Sequence, residues 1–250
     1  MALLRLDKIL SETGKYSRGE AAALIKKGLV TVDGAIASSG AVKYDPEQVG
    51  ITACGEVVVY KKYVYIMLNK PSGVVTATED NMHETVVDLL DDELKRRGVF
   101  PVGRLDKDTV GLLLLTNNGN FGHAVIAPSS GVYKRYRVRS DLGFTRGDVV
   151  SFDEGIVLND GTRCLQSRLE ISADDEFEAH IEIAEGKYHQ IKRMLAAVGK
   201  KVTYLKRVAI GGLLLDEFLA HGEYRELTDA EVSVIFDKTV ERDIQKDYKK

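Results

Sequence analysis

The chain has 250 residues, 44% hydrophobic and 29% charged, with a formal net charge of -3. That is the make-up of a globular protein of one large domain or two unequal ones. It has no apolar run near the ~20 residues that span a bilayer, and MALLRLDKIL lacks the apolar core and cleavage site of a signal peptide. Cys54 and Cys164 stand far apart without metal-spaced partners, which argues against a disulfide framework or zinc site and for a reducing cytoplasm.

Residues 1 to 60 read as a small module. Leu3, Leu6, Ile9 and Leu10 recur at helical spacing, and Gly14-Lys15 breaks the pattern. Ser17-Arg18-Gly19-Glu20 fits a capping box, followed by the helix AAALIKK with Gly28 as its C-terminal cap. Val30 to Ile36 alternates around Asp33-Gly34, the strongest short hairpin signal. The order RLDKIL…SRGEAAALIKKGLVTVDG resembles the S4 RNA-binding domain, whose second helix and preceding loop lie on RNA. The resemblance enlists Arg5, Lys8, Lys15, Ser17, Arg18, Lys26 and Lys27, although any one of these lysines taken alone reads first as a solvated helix face. Seven bases against five acids in the first 45 residues allow a few phosphate contacts and no dominant electrostatic grip. The stretch 45–62, with a proline and two glycines, marks the boundary to a larger domain, 61–240, before a charged tail, 241–250.

In that domain, Tyr63 to Asn69 alternates as a strand and stops at the turn Lys70-Pro71-Ser72-Gly73. Lys70 reads as part of a structural turn ahead of an RNA contact. Thr85 to Arg97 shows a helical period ended by Gly98, and seven acids between Glu79 and Glu93 make it a solvated helix away from nucleic acid. The most informative segment is VGRLDKDTVGLLLLTNNG, 102–119. Asp106 lies between Gly103-Arg104-Leu105 and Asp108-Thr109-Val110-Gly111, ahead of Leu112 to Leu115. A short apolar run bounded by turns reads as a doubly buried strand, with a buried helix segment as the other option. A carboxylate on a loop supported by such an element is placed as catalytic groups commonly are, and an Arg-Asp surface turn is the plain alternative.

Bases concentrate further on. Lys134, Arg135, Arg137 and Arg139 alternate with Tyr136 and Val138, so a strand puts Lys134 and Tyr136 on one face and Arg135 and Arg137 on the other. Residues 186–207 hold seven Lys or Arg and no acid, which suits one basic face. Within them Ile191, Met194, Leu195 and Val198 form a helical stripe closed by Gly199, with Lys192 and Arg193 beside it. His189 at the helix start invites a general-base reading, against an RNA-edge or packing contact. The scattered histidines give metal chemistry no support.

GRLDKDTVGLLLLT, YVYIMLNKPSGVVTA, the Lys-x-Tyr of Lys134 to Tyr136, and EGKYHQIKRM together resemble the pseudouridine synthases that act on ribosomal RNA. The resemblance covers nearly the whole chain. It implies an α+β protein, an S4-like module followed by a mixed, mainly antiparallel sheet flanked by helices, and an isomerase without cofactor. Asp106 matches the catalytic residue, Tyr136 the tyrosine beside it, and Lys192 the base paired with it. Arg104, Lys134, His189, Gln190 and Arg193 are implied RNA contacts; the run of bases in 186–207, Lys200 and Lys201 among them, reads separately as phosphate-contacting. A cation beside a carboxylate among leucines would favour its charged form. GKYHQIKRM looks closer to the small-subunit, RsuA-type branch. That implies a monomer acting on 16S ribosomal RNA at the uridine conventionally numbered 516, with 23S ribosomal RNA as the rival substrate. A non-catalytic S4-type assembly factor is the rival of another class.

Overall fold

The computed structural model describes residues 3–237, so the tail expected at 241–250 lies outside the described residues. The chain divides into two compact units, residues 1–64 with 90–99, and 65–89 with 100–250. Among the described residues no helix is long and apolar enough to cross a membrane.

The first unit contains β1 (Leu4–Arg5), α1 (Leu6–Glu12), α2 (Arg18–Lys26), β2 (Val30–Val32), β3 (Ala35–Ile36), β4 (Lys43–Tyr44), β5 (Ile51–Ala53), β6 (Glu56–Val57) and α3 (Asp92–Arg96). Leu6, Ile9 and Leu10 on α1 pack with Ile25 of α2 and with Val30 and Ile51 of the small sheet. The capping box is complete. Glu20 N–H donates to Ser17 Oγ at 3.2 Å, and Ser17 N–H donates to the Glu20 carboxylate at 2.7 Å. The β2–β3 hairpin turns at Asp33 and Gly34, both at positive φ, which is why Asp-Gly suits the position.

Two expectations change in this unit. The sequence places the boundary near 60 and 90–99 in the larger domain; the boundary at 64 agrees within a few residues, while Leu90–Val99 packs with the first unit. Gly14 is the reason: a Cβ there would stand 2.2 Å from Glu93 O, so only glycine lets α3 approach, and Arg96 Nη1 donates to Gly14 O at 3.2 Å. The helix expected over 85–97 also shrinks to α3. Asp88 accepts from the N–H and the hydroxyl of Thr85, both at 2.8 Å, closing a turn, and Thr85 bridges to Val75. Helix begins only where Asp91 accepts from Leu94 N–H as its N-cap.

The second unit is built on a nine-stranded sheet. Its elements are β7 (Tyr65–Lys70), β8 (Phe100–Val102), β9 (Val110–Thr116), α4 (Gly119–Ile126), β10 (Lys134–Ser140), α5 (Arg146–Glu154), β11 (Arg168–Ile171), β12 (Glu178–Ile183), α6 (Gln190–Ala197), β13 (Val202–Ile210), β14 (Leu213–Leu214), β15 (Tyr224–Glu226) and α7 (Asp229–Val234). The strand order is β11-β12-β10-β13-β9-β7-β15, with β14 beside β13 and β8 beside β9. Every pairing is antiparallel except β9 with β13, giving the mixed, mainly antiparallel sheet expected. Leu112 to Leu115 are at most 1% exposed. They lie in a strand rather than a helix, and all seven residues of β9 are buried.

At one end of the unit, Arg225 binds Asp216 and both oxygens of Glu231, which also completes the capping box of α7 with Thr228. The Arg225 hydrogen bonds pull the Glu231 carboxyl from 4.5 down to about 2. A depressed carboxylate stabilises the fold above its unfolded pKa and loses that contribution as pH falls through the folded value. Glu231→Gln is therefore expected to cost about 1–2 kcal/mol at neutral pH, the scale of a cap plus charge-assisted hydrogen bonds. Urea melts at several pH values should also show the variant losing less stability than the wild type between about pH 4.5 and 2.

Candidate active site

Asp106 sits on the loop between β8 and β9, where Gly103, at positive φ, turns the chain out of β8. Hydrogen bonds to its backbone neighbours fix the loop. Thr76 Oγ1 donates to Leu105 O at 2.8 Å, Thr109 N–H to Asp106 O at 3.1 Å, and Gly73 N–H to Lys107 O at 2.8 Å. Lys70, fully buried at the end of β7, drives its ammonium beneath the loop. It donates to Pro71 O at 2.9 Å, Thr109 O at 3.0 Å and Lys107 O at 3.3 Å. Burial pushes this lysine down to about 8, against the attraction of Asp108 and Asp106; three carbonyl acceptors favour the protonated form. Beyond the loop, Gly111 crosses β13 so closely that a Cβ would stand 2.3 Å from Arg207 O.

Helix α6 supplies the cation. Ile191, Met194 and Leu195 bury its apolar stripe and leave Lys192 at its side. The Lys192 ammonium lies 2.9 Å from Asp106 Oδ2 and 2.5 Å from Asp108 Oδ1. Burial works against its charge, but the bonds to Asp108 and Asp106 outweigh it and raise the Lys192 pKa. The Asp108 carboxyl is lowered chiefly by its hydrogen bond from Lys192. His189, the N-cap residue, holds a left-handed backbone at φ 48 and brings Nε2 to 3.5 Å from Asp106 Oδ1.

Tyr136 stands on β10 opposite Arg207 of β13, which pairs with Gly111 of β9. At the usual ~4.8 Å per strand, Tyr136 lies roughly 10 Å across the sheet from Gly111. Arg207 is 4% exposed. Its Nε donates to Leu112 O at 2.7 Å, its Nη1 approaches the Tyr136 hydroxyl at 3.5 Å, and its guanidinium lies 6.0 Å from the Tyr136 ring centroid. One side chain thus braces the strand that leaves the Asp106 loop against the strand that carries the tyrosine.

The profile of the family described as RNA pseudouridylate synthase matches residues 64–197, and that of the S4 domain matches residues 4–49. The chain belongs to the RNA pseudouridylate synthases. It is 43% identical to an uncharacterized RNA pseudouridine synthase of Bacillus subtilis, over 93% of this chain and 98% of that protein. It is 41% identical to ribosomal small subunit pseudouridine synthase A of Vibrio cholerae, over 93% of this chain and all of that one. A crystal structure of a pseudouridylate synthase aligns with a TM-score of 0.66 at 36% identity, covering 93% of this chain and 99% of the other. The protein is thus an enzyme that isomerises uridine to pseudouridine.

Within this synthase the expected site residues sort into three groups. Asp106, Lys192 and His189 come together as described. Arg104 is exposed on the same loop, and Arg193 pairs with Asp160 while donating to Tyr188 O. In the S4 unit, Arg5, Lys8, Lys15, Ser17, Arg18, Lys26 and Lys27 are all exposed; Arg5 pairs with Asp7, Lys8 with Glu12 and Lys15 with Glu56. The third group is corrected. Lys134 is 8% exposed and gives its ammonium to Val132 O and Val125 O at 2.6 and 3.0 Å, with burial pushing it down to about 8. Its ammonium is bonded to the protein's own backbone. Gln190 is 5% exposed and holds Lys187 N–H and Glu185, so it shapes the loop. Lys200 is buried against Asp148 at 2.9 Å, a structural pair.

Lys70, read from the sequence as part of a structural turn, is a buried backbone clamp, and its burial follows from its place at the end of β7. Lys70→Met should leave buried carbonyls without their donor at about 1–3 kcal/mol for an unsatisfied group, and should let the 106–109 loop shift. The expected result is a thermal midpoint lowered by several degrees together with a fall in kcat. Unchanged kcat in a destabilised variant would show that the lysine supports the fold without setting the loop.

Proposed function

We propose that this synthase modifies one uridine of 16S ribosomal RNA, the position conventionally numbered 516, with Asp106 acting at the ribose of a flipped-out nucleotide. The carrying observation is the Asp106 carboxylate on a braced loop, with the Lys192 ammonium 2.9 Å away. The 16S assignment is supported by relatives called ribosomal small subunit pseudouridine synthase A, at 35 to 41% identity over more than nine-tenths of this chain. The reaction breaks the N1–C1′ bond of uridine and forms C5–C1′. A proton leaves C5 and one is gained at N1, so no oxidant or reductant is needed. A carboxylate at C1′ can form an ester or support oxocarbenium character, and one near C2′ can take a proton to give a glycal. By the family resemblance Tyr136 is the aromatic partner of the extruded base; it is 8% exposed, with Arg207 6.0 Å from its ring centroid. In a deletion strain, carbodiimide treatment and primer extension should show pseudouridine lost at that 16S position and retained in 23S RNA; loss in 23S RNA alone would overturn the assignment.

Asp106→Asn preserves shape and removes the charge. Turnover is expected to fall below roughly a hundredth of wild type, the least that such groups usually contribute, while RNA affinity and melting stay near wild type. Tritium release from RNA labelled at uridine C5 reads the first, and filter binding the second.

Lys192→Met should lower kcat with little change in Kd, because its ammonium faces Asp106 and Asp108. Lys201, exposed beyond the helix, is the control. Lys201→Met should weaken RNA binding, reduce the salt slope by about one unit and leave kcat in place. Identical behaviour of the two variants would make Lys192 a phosphate contact.

A further inference from the structure

Tyr188 has no place in the chemistry above, yet it is the most conspicuous side chain beside it. It is 77% exposed, against 37 to 39% for Tyr63, Tyr133 and Tyr204. One face of its ring is covered by the His189 imidazole, with centroids 3.8 Å apart and planes 18° apart. The loop beneath is held firmly. Gln190 accepts from Lys187 N–H at 2.8 Å, Gln190 N–H donates to Lys187 O at 3.1 Å, and Arg193 N–H donates to His189 O at 2.9 Å. The stack is also registered to the reacting centre through His189 Nε2, 3.5 Å from Asp106 Oδ1.

We propose that the stacked Tyr188–His189 pair is a nucleobase platform, on which the base adjacent to the target uridine lies against the outer face of the Tyr188 ring. The inference rests on the reading that the site modifies RNA and adds the residue that receives the flanking nucleotide. Extruding a uridine breaks the stacking of its neighbours, and an aromatic ring restores it for any base, since every base has a π-face. An exposed tyrosine on a mobile loop would lose rotamer freedom on binding. This one is already ordered by the imidazole and by the loop hydrogen bonds, so less affinity is spent on ordering it. The bases along the helix, Lys192 and Arg193, face acids at short range. Recognition at this edge therefore falls to the rings more than to net charge.

The test uses the full-length protein with 16S rRNA, free or partly assembled, labelled with tritium at uridine C5. Tyr188→Ala should lose roughly 10-fold or more in kcat/KM, equivalent to ~1.4 kcal/mol, within the range of one stacked base, with its melting curve unchanged. Tyr188→Phe and Tyr188→Trp should recover most of the loss. Placing an abasic nucleotide on one side of the target should impair the wild type by a similar factor and impair Tyr188→Ala little further. The idea is overturned by an unaffected Tyr188→Ala, or by a Tyr188→Phe as impaired as alanine. It is equally overturned if neither flanking abasic site masks the alanine effect, which would assign the ring to the target base itself. A short RNA with 2-aminopurine beside the target uridine gives an independent readout: quenching on binding should occur with wild type and vanish with Tyr188→Ala. If the wild type turns over no rRNA, the functional reading fails, while the quenching still decides the platform.

Discussion

Two carboxylates two residues apart on one tight turn repel each other, and a single ammonium from elsewhere in the chain holds them together. Lys192 reaches Asp106 and Asp108 across 84 residues of sequence from the latter. Asp106 and Lys192 are about a quarter exposed and Asp108 is mostly exposed. Pairs so open to water contribute little to global stability, commonly 0–1 kcal/mol. Their effect is on position. Helix α6 must dock by Ile191, Met194 and Leu195 before its lysine can arrive, so the completed site reports that the far part of the domain has folded.

Around that contact, buried cations are used as backbone clamps. Lys70 gathers three carbonyls under the Asp106 loop, Arg207 ties Leu112 O to the Tyr136 hydroxyl, and Lys134 caps Val125 O and Val132 O. A buried cation costs desolvation free energy that carbonyl dipoles offset only in good geometry. Small displacements of the loop or of β9 are therefore penalised, which a purely apolar floor would not do. Gly111 belongs to the same device, because it lets β9 and β13 run close enough for Arg207 to span them.

What the sequence made legible was local. The Asp-bearing loop, the leucine strand, the α6 stripe and the capping box each depend on spacing within about ten residues, and each formed as expected, save that α6 ends at Ala197 and leaves Val198 as its C-cap. Burial of charge was not legible, because it depends on register. Lys134 has the residue type of a surface strand, but its partners are Ile183 and Ile210, and a bulge follows at Arg135/Tyr136. Lys200 was misread for the same reason, since Asp148 comes from a distant helix. The assignment of 85–97 to one helix failed where Asp88 closes on Thr85, a side-chain turn that helical periodicity does not reveal.

The start of α6 shows where the local rules yield to the site. An N-cap side chain usually contributes about 1 kcal/mol by accepting from the first helical amides, and a non-glycine residue at positive φ costs about 1–3 kcal/mol. His189 forgoes the first and accepts the second. A serine or threonine with extended backbone would have served the helix better, as at α2, α5 and α7. The left-handed turn instead aims the imidazole at Asp106 and lays it flat against Tyr188. Gln190, buried immediately after, restores order to the loop by taking up Lys187 N–H and Glu185. Departures from local preference that are compensated one residue away mark positions constrained by something other than folding. Here that constraint is the alignment of two rings with one carboxylate.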